Sequence, residues 1–68
     1  MERTYVESSN VISIGYEEDS STLEVEFNSG IYRYYGVPSY IYDELIGADS
    51  KGSYLHQNIK SSYSYEKV

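Results

Sequence analysis

Sixty-eight residues with no cysteine and a net charge of −6 make one domain with no room for a second core, no disulfide and no thiolate metal site. A chain this short buries only about 60% of the surface its unfolded form exposes, so packing or self-association has to supply its stability. The acidic balance argues against strong nonspecific attraction to nucleic acid or anionic membranes, and no apolar run approaches the roughly 20 residues of a membrane span.

The first predicted element is a strand over residues 10–16, where Ile12, Ile14 and Tyr16 share one face and Val11, Ser13 and Gly15 the other. The polar run Glu17–Ser21 reads as a hairpin loop. Thr22–Phe27 then alternates, with Leu23, Val25 and Phe27 inward and Thr22, Glu24 and Glu26 on a wet face, as in an antiparallel strand packed on one side. After the turn at Asn28-Ser29-Gly30, a loop of even length sets Phe27 opposite Tyr32, Val25 opposite Tyr34 and Glu26 opposite Arg33. That register explains Tyr32 and Tyr34 as core and Arg33 as a cross-strand partner of Glu26.

Gly36-Val37-Pro38 ends the third strand, and proline suits the first turn of a helix. Val37, Ile41, Leu45 and Ala48 recur at helical spacing, with Tyr42 and Ile46 widening the stripe, up to Gly47. Asp49 or Ser50 offers an N-cap to a second helix running to about Lys60, with Leu55 and Ile59 as an apolar i, i+4 pair. Residues 61–65 break the pattern as a tail or a short edge strand. The fold class expected is α+β, a three-stranded antiparallel β-meander followed by two helices packed on one face. It forms a single domain over 1–68, with residues 1–8 and 61–68 as candidate flexible tails. The expected core is Ile12, Ile14, Leu23, Val25, Phe27, Tyr32, Tyr34, Val37, Ile41, Leu45, Leu55 and Ile59.

Catalytic chemistry is hard to find. His56 stands alone, no G-x-S-x-G, P-loop, dinucleotide fingerprint or EF-hand spacing occurs, and the chain looks too small for a cleft of roughly 300–1,000 Å³. The expectation is no enzyme, no cofactor and no metal. Charge is uneven: residues 1–49 hold Arg3 and Arg33 against ten carboxylates, a balance of −8, whereas residues 50–68 hold Lys51, Lys60 and Lys67 against Glu66, a balance of +2. Ser50-Lys51-Gly52-Ser53-Tyr54 at a helix start, with free N–H groups and a lysine, is a candidate anion site that His56 and Lys60 extend. The plainer explanation has Ser50 as a cap and Gly52 making room for a packing neighbour.

Ser9-Asn10 before the first strand, Tyr32-x-Tyr34 followed by Gly36-Val37-Pro38, Ser50-Lys51-Gly52-x-Tyr54 with Asn58-Ile59, and Tyr63-x-Tyr65 resemble the KTSC domain over nearly the whole chain. That family takes its name from an occurrence at the C-terminus of some lysyl-tRNA synthetases and also exists as small stand-alone bacterial and phage proteins. The resemblance implies a small binding module for which RNA is the suggested ligand. Candidate contacts are Ser50, Lys51, Gly52, Tyr54, His56 and Lys60 with Arg33 and Tyr35; Tyr35, Tyr63 or Tyr65 would stack on an unpaired base. The alternative is a protein-interaction or homo-oligomeric module using exposed tyrosines and an edge strand. With no basic or apolar leader at Met1–Tyr5, a cytoplasmic location is expected.

Overall fold

The computed structural model describes residues 3–6 and 10–68. Five antiparallel strands lie in sequence order: β1 (Arg3–Tyr5), β2 (Val11–Glu17), β3 (Thr22–Phe27), β4 (Gly30–Tyr34) and β5 (Tyr65–Lys67). Two helices cover one face: α1 (Ser39–Gly47), and α2 (Lys51–Tyr54), which runs directly into a π-helical turn over Leu55–Ile59. The α+β class and the three-strand meander at the centre agree with the pattern of the sequence. The sheet is wider than that pattern suggested, because Arg3–Tyr5 and Tyr65–Lys67 pair along its two edges. Each edge strand is only three residues long, too short for alternation to be seen in sequence and a common way of limiting exposed sheet edges. Of the expected tail over residues 1–8, Met1, Glu2, Glu7 and Ser8 lie outside the described residues, as does Ser9.

The buried core is Val11, Ile14, Leu23, Val25, Tyr34, Val37, Leu45, Leu55 and Ile59, with Phe27, Tyr32 and Ile41 packed half-buried against it. Ile12, expected inside, is instead exposed, and Val11 is buried in its place. The reason is a β-bulge: Val11 pairs with Phe27 but Ser13 pairs with Glu26, so one extra residue enters β2 and the face assignment before it inverts. The β3–β4 hairpin is also corrected. Parity holds, but the two-residue loop is Asn28–Ser29 rather than Ser29–Gly30, so Val25 opposes Tyr32, Leu23 opposes Tyr34 and Arg33 opposes Glu24, not Glu26. Gly30, which pairs with Phe27 to close this loop, sits at φ +144, a backbone conformation that favours glycine.

Glu24 is not on a wet face. Arg3, Gly15, Glu24, Arg33 and Glu66 form one lateral row across all five strands. Gly15 has no side chain to stand between its neighbours, and Arg3 hydrogen-bonds Glu24 across that gap while Arg33 Nε holds the other carboxylate oxygen at 2.7 Å. The two arginines lie over the carboxylate, and Glu24 is left 4% exposed. Ser13 and Arg3 engage Glu26 beside it, at 3.0 and 3.7 Å.

On the covered face, Pro38 stands at the N-cap of α1, and its carbonyl accepts from the Ile41 N–H at 3.0 Å. The loop before it is tied to the sheet through Val37, which donates to Ser21 at 2.9 Å and accepts from the Tyr16 hydroxyl at 2.5 Å. Tyr16 also stacks on Tyr42, ring centroids 5.0 Å apart. Among the described residues, no helix is long and apolar enough to cross a membrane.

Candidate nucleic-acid interface

A groove opens where the end of the sheet formed by the β3–β4 turn and β5 meets the second helix. Its aromatic half, about 460 Å³, is lined by Phe27, Tyr32, Tyr34 and Tyr65 with the turn residues Asn28 and Ser29. The polar half, about 430 Å³, is lined by Ser50, Ser53, His56 and Gln57. Asn10, Gly52 and Lys60 belong to both. A half-open depression of this size lies within the range of ligand clefts, although the length of the chain suggested there would be none.

The walls follow from local sequence. Phe27, Tyr32, Tyr34 and Tyr65 share the helix-facing side by strand parity. Phe27 meets Tyr32 edge-on at 5.6 Å, and Tyr65 lies 6.0 Å from Tyr32 and 5.5 Å from Tyr34, centroid to centroid. Burial, reinforced by Tyr65 and Tyr32 nearby, pushes the Tyr34 phenol above its ordinary range. Two ammonium groups hang over these rings: Lys60 Nζ is 5.0 Å from the Phe27 centroid and Lys67 Nζ 6.0 Å from that of Tyr32.

The helix supplies the polar wall. The Ser50 hydroxyl accepts from the Ser53 N–H at 3.3 Å, which caps the first turn. Gly52 does not make room for a packing neighbour, since a Cβ there would meet nothing within 4 Å. The absence of a side chain leaves backbone open to the groove. Beyond Tyr54 the helix widens, and the Lys60 N–H donates to Leu55 O at 2.8 Å, an i to i−5 bond. π-turns of this kind recur at functional sites. Leu55 and Ile59 remain buried through the wider turn, and His56, Gln57 and Lys60 line the groove.

Of the residues singled out in the sequence, Ser50, Gly52, His56, Lys60 and the stacking candidate Tyr65 are brought together here. Lys51, Tyr54, Arg33 and Tyr35 are engaged elsewhere, and Tyr63 does not line the groove. Lys51 Nζ donates to Ala48 O at 2.9 Å, closing the end of α1. Tyr54 donates to Glu44 Oε1 at 2.6 Å and ties the two helices together; that carboxylate is the main reason its phenol is pushed up to about 12. Arg33 is committed to Glu24 on the opposite sheet face, and Tyr35 donates to Glu66, which raises the Tyr35 phenol. Asn10, Phe27, Tyr32 and Gln57 were missed as groove residues, as was Lys67 beside them, whose ammonium stands over the Tyr32 ring. Tyr32 and Phe27 carried a signal in their shared parity, but without β5 nothing in the sequence placed Lys67 or Tyr65 beside them. Among the described residues, none of those lining the groove is a carboxylate, and no group of three or more His, Asp or Glu could hold a metal ion.

The arrangement is thus a small α+β module with an aromatic, cation-bearing groove at one end of its sheet. The KTSC domain family model matches residues 7–63, and the chain belongs to that family. It is 43% identical over 63 residues to a lysine–tRNA ligase of Nostoc sp. (strain PCC 7120), covering 91% of this chain but 11% of the ligase. The chain spans about a tenth of the length of the ligases it matches. It is 40% identical to a protein of Stutzerimonas stutzeri over 100% of this chain and 99% of that one. The crystal structure of a KTSC domain protein from Yersinia pestis superposes with a TM-score of 0.96 at 37% identity, covering 98% of this chain and 96% of the other.

Proposed function

We propose that this domain is a non-enzymatic module that binds single-stranded RNA in the groove between the β5 edge of the sheet and the second helix. The observation that carries this reading is the charge of the groove. In a chain of net charge −6, the groove is lined by Lys60 and His56 with no carboxylate among its described residues, and its floor is aromatic. Phosphate needs cations to displace its counterions, and an unpaired base needs a ring to stack on; both lie within this one depression. The relatives that carry the domain within a lysine–tRNA ligase supply a setting in which RNA is at hand.

The rest of the surface is poorly suited to the same task. Arg3 and Arg33, the cations of the opposite sheet face, are both engaged by Glu24. That engagement also makes the face a weaker candidate for self-association, since docking a second copy there would have to desolvate a network already satisfied. The test is a binding isotherm for a short single-stranded RNA by the whole chain and by Lys60→Ala and Lys51→Ala. Lys60→Ala is expected to weaken binding about tenfold and to flatten its salt dependence, while Lys51→Ala, outside the groove, changes it less than about twofold. Equal effects of the two substitutions, or no binding at all, would remove the groove from consideration.

A further inference from the structure

The rings of the groove are not equivalent. Tyr34 is 2% exposed. The face of Phe27 carries the Lys60 ammonium at 5.0 Å and that of Tyr32 the Lys67 ammonium at 6.0 Å. Tyr65 is 57% exposed, and neither ammonium is placed over its ring. A base approaching the groove therefore meets in Tyr65 an exposed ring with neither ammonium over it, while the two cations stand over the neighbouring rings of Phe27 and Tyr32. Lys67 is two residues further along β5 on the same face of the strand, and Lys60 reaches in from the end of the helix.

Resting on the single-stranded RNA reading above, we propose that the groove takes one unpaired nucleotide, its base stacked on Tyr65 and its two flanking phosphates met by Lys60 and Lys67. The ligand is a single nucleoside carrying a phosphate at both its 5′ and 3′ positions, not an extended track of single strand and not a duplex. The rings and the cations of the groove set the count. One accessible ring receives one base, since each stacked base needs its own π-face. Two ammonium groups neutralise at most two phosphates, which sets a shallow salt dependence: log affinity against log salt should slope between about −0.7 and −1.4 for single strands. Both cations already sit on rings, so binding exchanges a cation–π contact for a phosphate contact and leaves the backbone where it is.

The experiment titrates the labelled whole chain with adenosine 3′,5′-bisphosphate and, separately, with an adenylate hexamer, following the Tyr65 ring and the Lys60 and Lys67 side chains by NMR. The expected result is that both probes shift all three residues and that the bisphosphate binds within about fivefold of the hexamer. Tyr65→Leu should weaken either probe about 5- to 100-fold. Tyr65→Phe, which keeps the ring and the edge strand, should stay within about twofold of the parent. If the hexamer binds at the groove but more than about a hundredfold tighter than the bisphosphate, with a slope steeper than about −2, the one-nucleotide inference fails while the RNA reading stands. Shifts at Lys60 and Lys67 without Tyr65 would overturn the stacking assignment. Silence at the groove with both probes would overturn the inference and the RNA reading together.

Discussion

Replacing Glu24 by Gln tests how the open face of the sheet is held. The Glu24 side chain is 6% exposed, whereas those of Arg3 and Arg33 are 27% and 47% exposed, so the loss falls almost wholly on the carboxylate. At an effective dielectric near 20, a unit charge pair about 4 Å apart is worth about 4 kcal/mol. Desolvating the carboxylate returns several kcal/mol of the gain from its two partners. The net should match hydrogen bonds to charged groups, about 1.5–3 kcal/mol. Glu24→Gln keeps the shape, frees two arginines that can rehydrate, and should cost about 2 kcal/mol. In a domain of this size that lowers Tm by about 8–16 °C. Arg33→Gln leaves Glu24 bound to Arg3 and should cost no more than about 1 kcal/mol. Thermal unfolding followed by circular dichroism at neutral pH reads both. A Tm for Glu24→Gln within about 3 °C of the parent, or a larger loss for Arg33→Gln, would refute the view that the row is organised around a buried central carboxylate.

The bulge predicts opposite tolerance at neighbouring positions: Ile12→Lys should change stability by less than about 0.5 kcal/mol, whereas Val11→Ala should cost about 1.5–2.5 kcal/mol for the methyls and space lost, as chemical denaturation would show. Gly30→Ala should cost about 1–3 kcal/mol, because φ is +144 and the new Cβ would lie 2.7 Å from Lys67 Cε, and the Lys67 signals should move with it. Tyr54, raised to about 12 by its bond to Glu44, contributes stability that is complete below the ordinary phenol value of 10 and fades as pH climbs from 10 toward 12. Absorbance titration of the folded chain should show late-ionising phenols, Tyr34 and Tyr35 among them, and Tyr54→Phe should remove the component near 12.

The sequence made the central meander and both helices readable because Leu23, Val25 and Phe27 alternate cleanly and Val37, Ile41 and Leu45 keep helical spacing. It misplaced Ile12 because a bulge shifts parity by one residue and has no compositional mark when no glycine accompanies it. It set the hairpin two positions off because alternation determines which face a strand presents, not which even-length loop closes it. Glu24 looked solvated because its burial depends on Arg3, in a three-residue strand no periodicity could reveal, and on Gly15, whose missing side chain lets that arginine reach across. The groove was half visible. Ser50, Gly52, His56 and Lys60 lie on one helix and share a local pattern, whereas Phe27, Tyr32, Tyr65 and Lys67 come together only through pairing of β5 with β4.

RNA held in the carboxylate-free groove would mark that groove and leave the opposite sheet face untouched. An amide NMR titration of the whole chain with a pool of short single-stranded RNA and tRNA, at low and then physiological salt, separates the two surfaces. Shifts are expected at Gly52, His56, Lys60 and Tyr65, fading as salt rises, with Arg3 and Arg33 unmoved. A silent spectrum, or shifts centred on the Arg3–Glu24–Arg33 row, would show that the groove is not the RNA site.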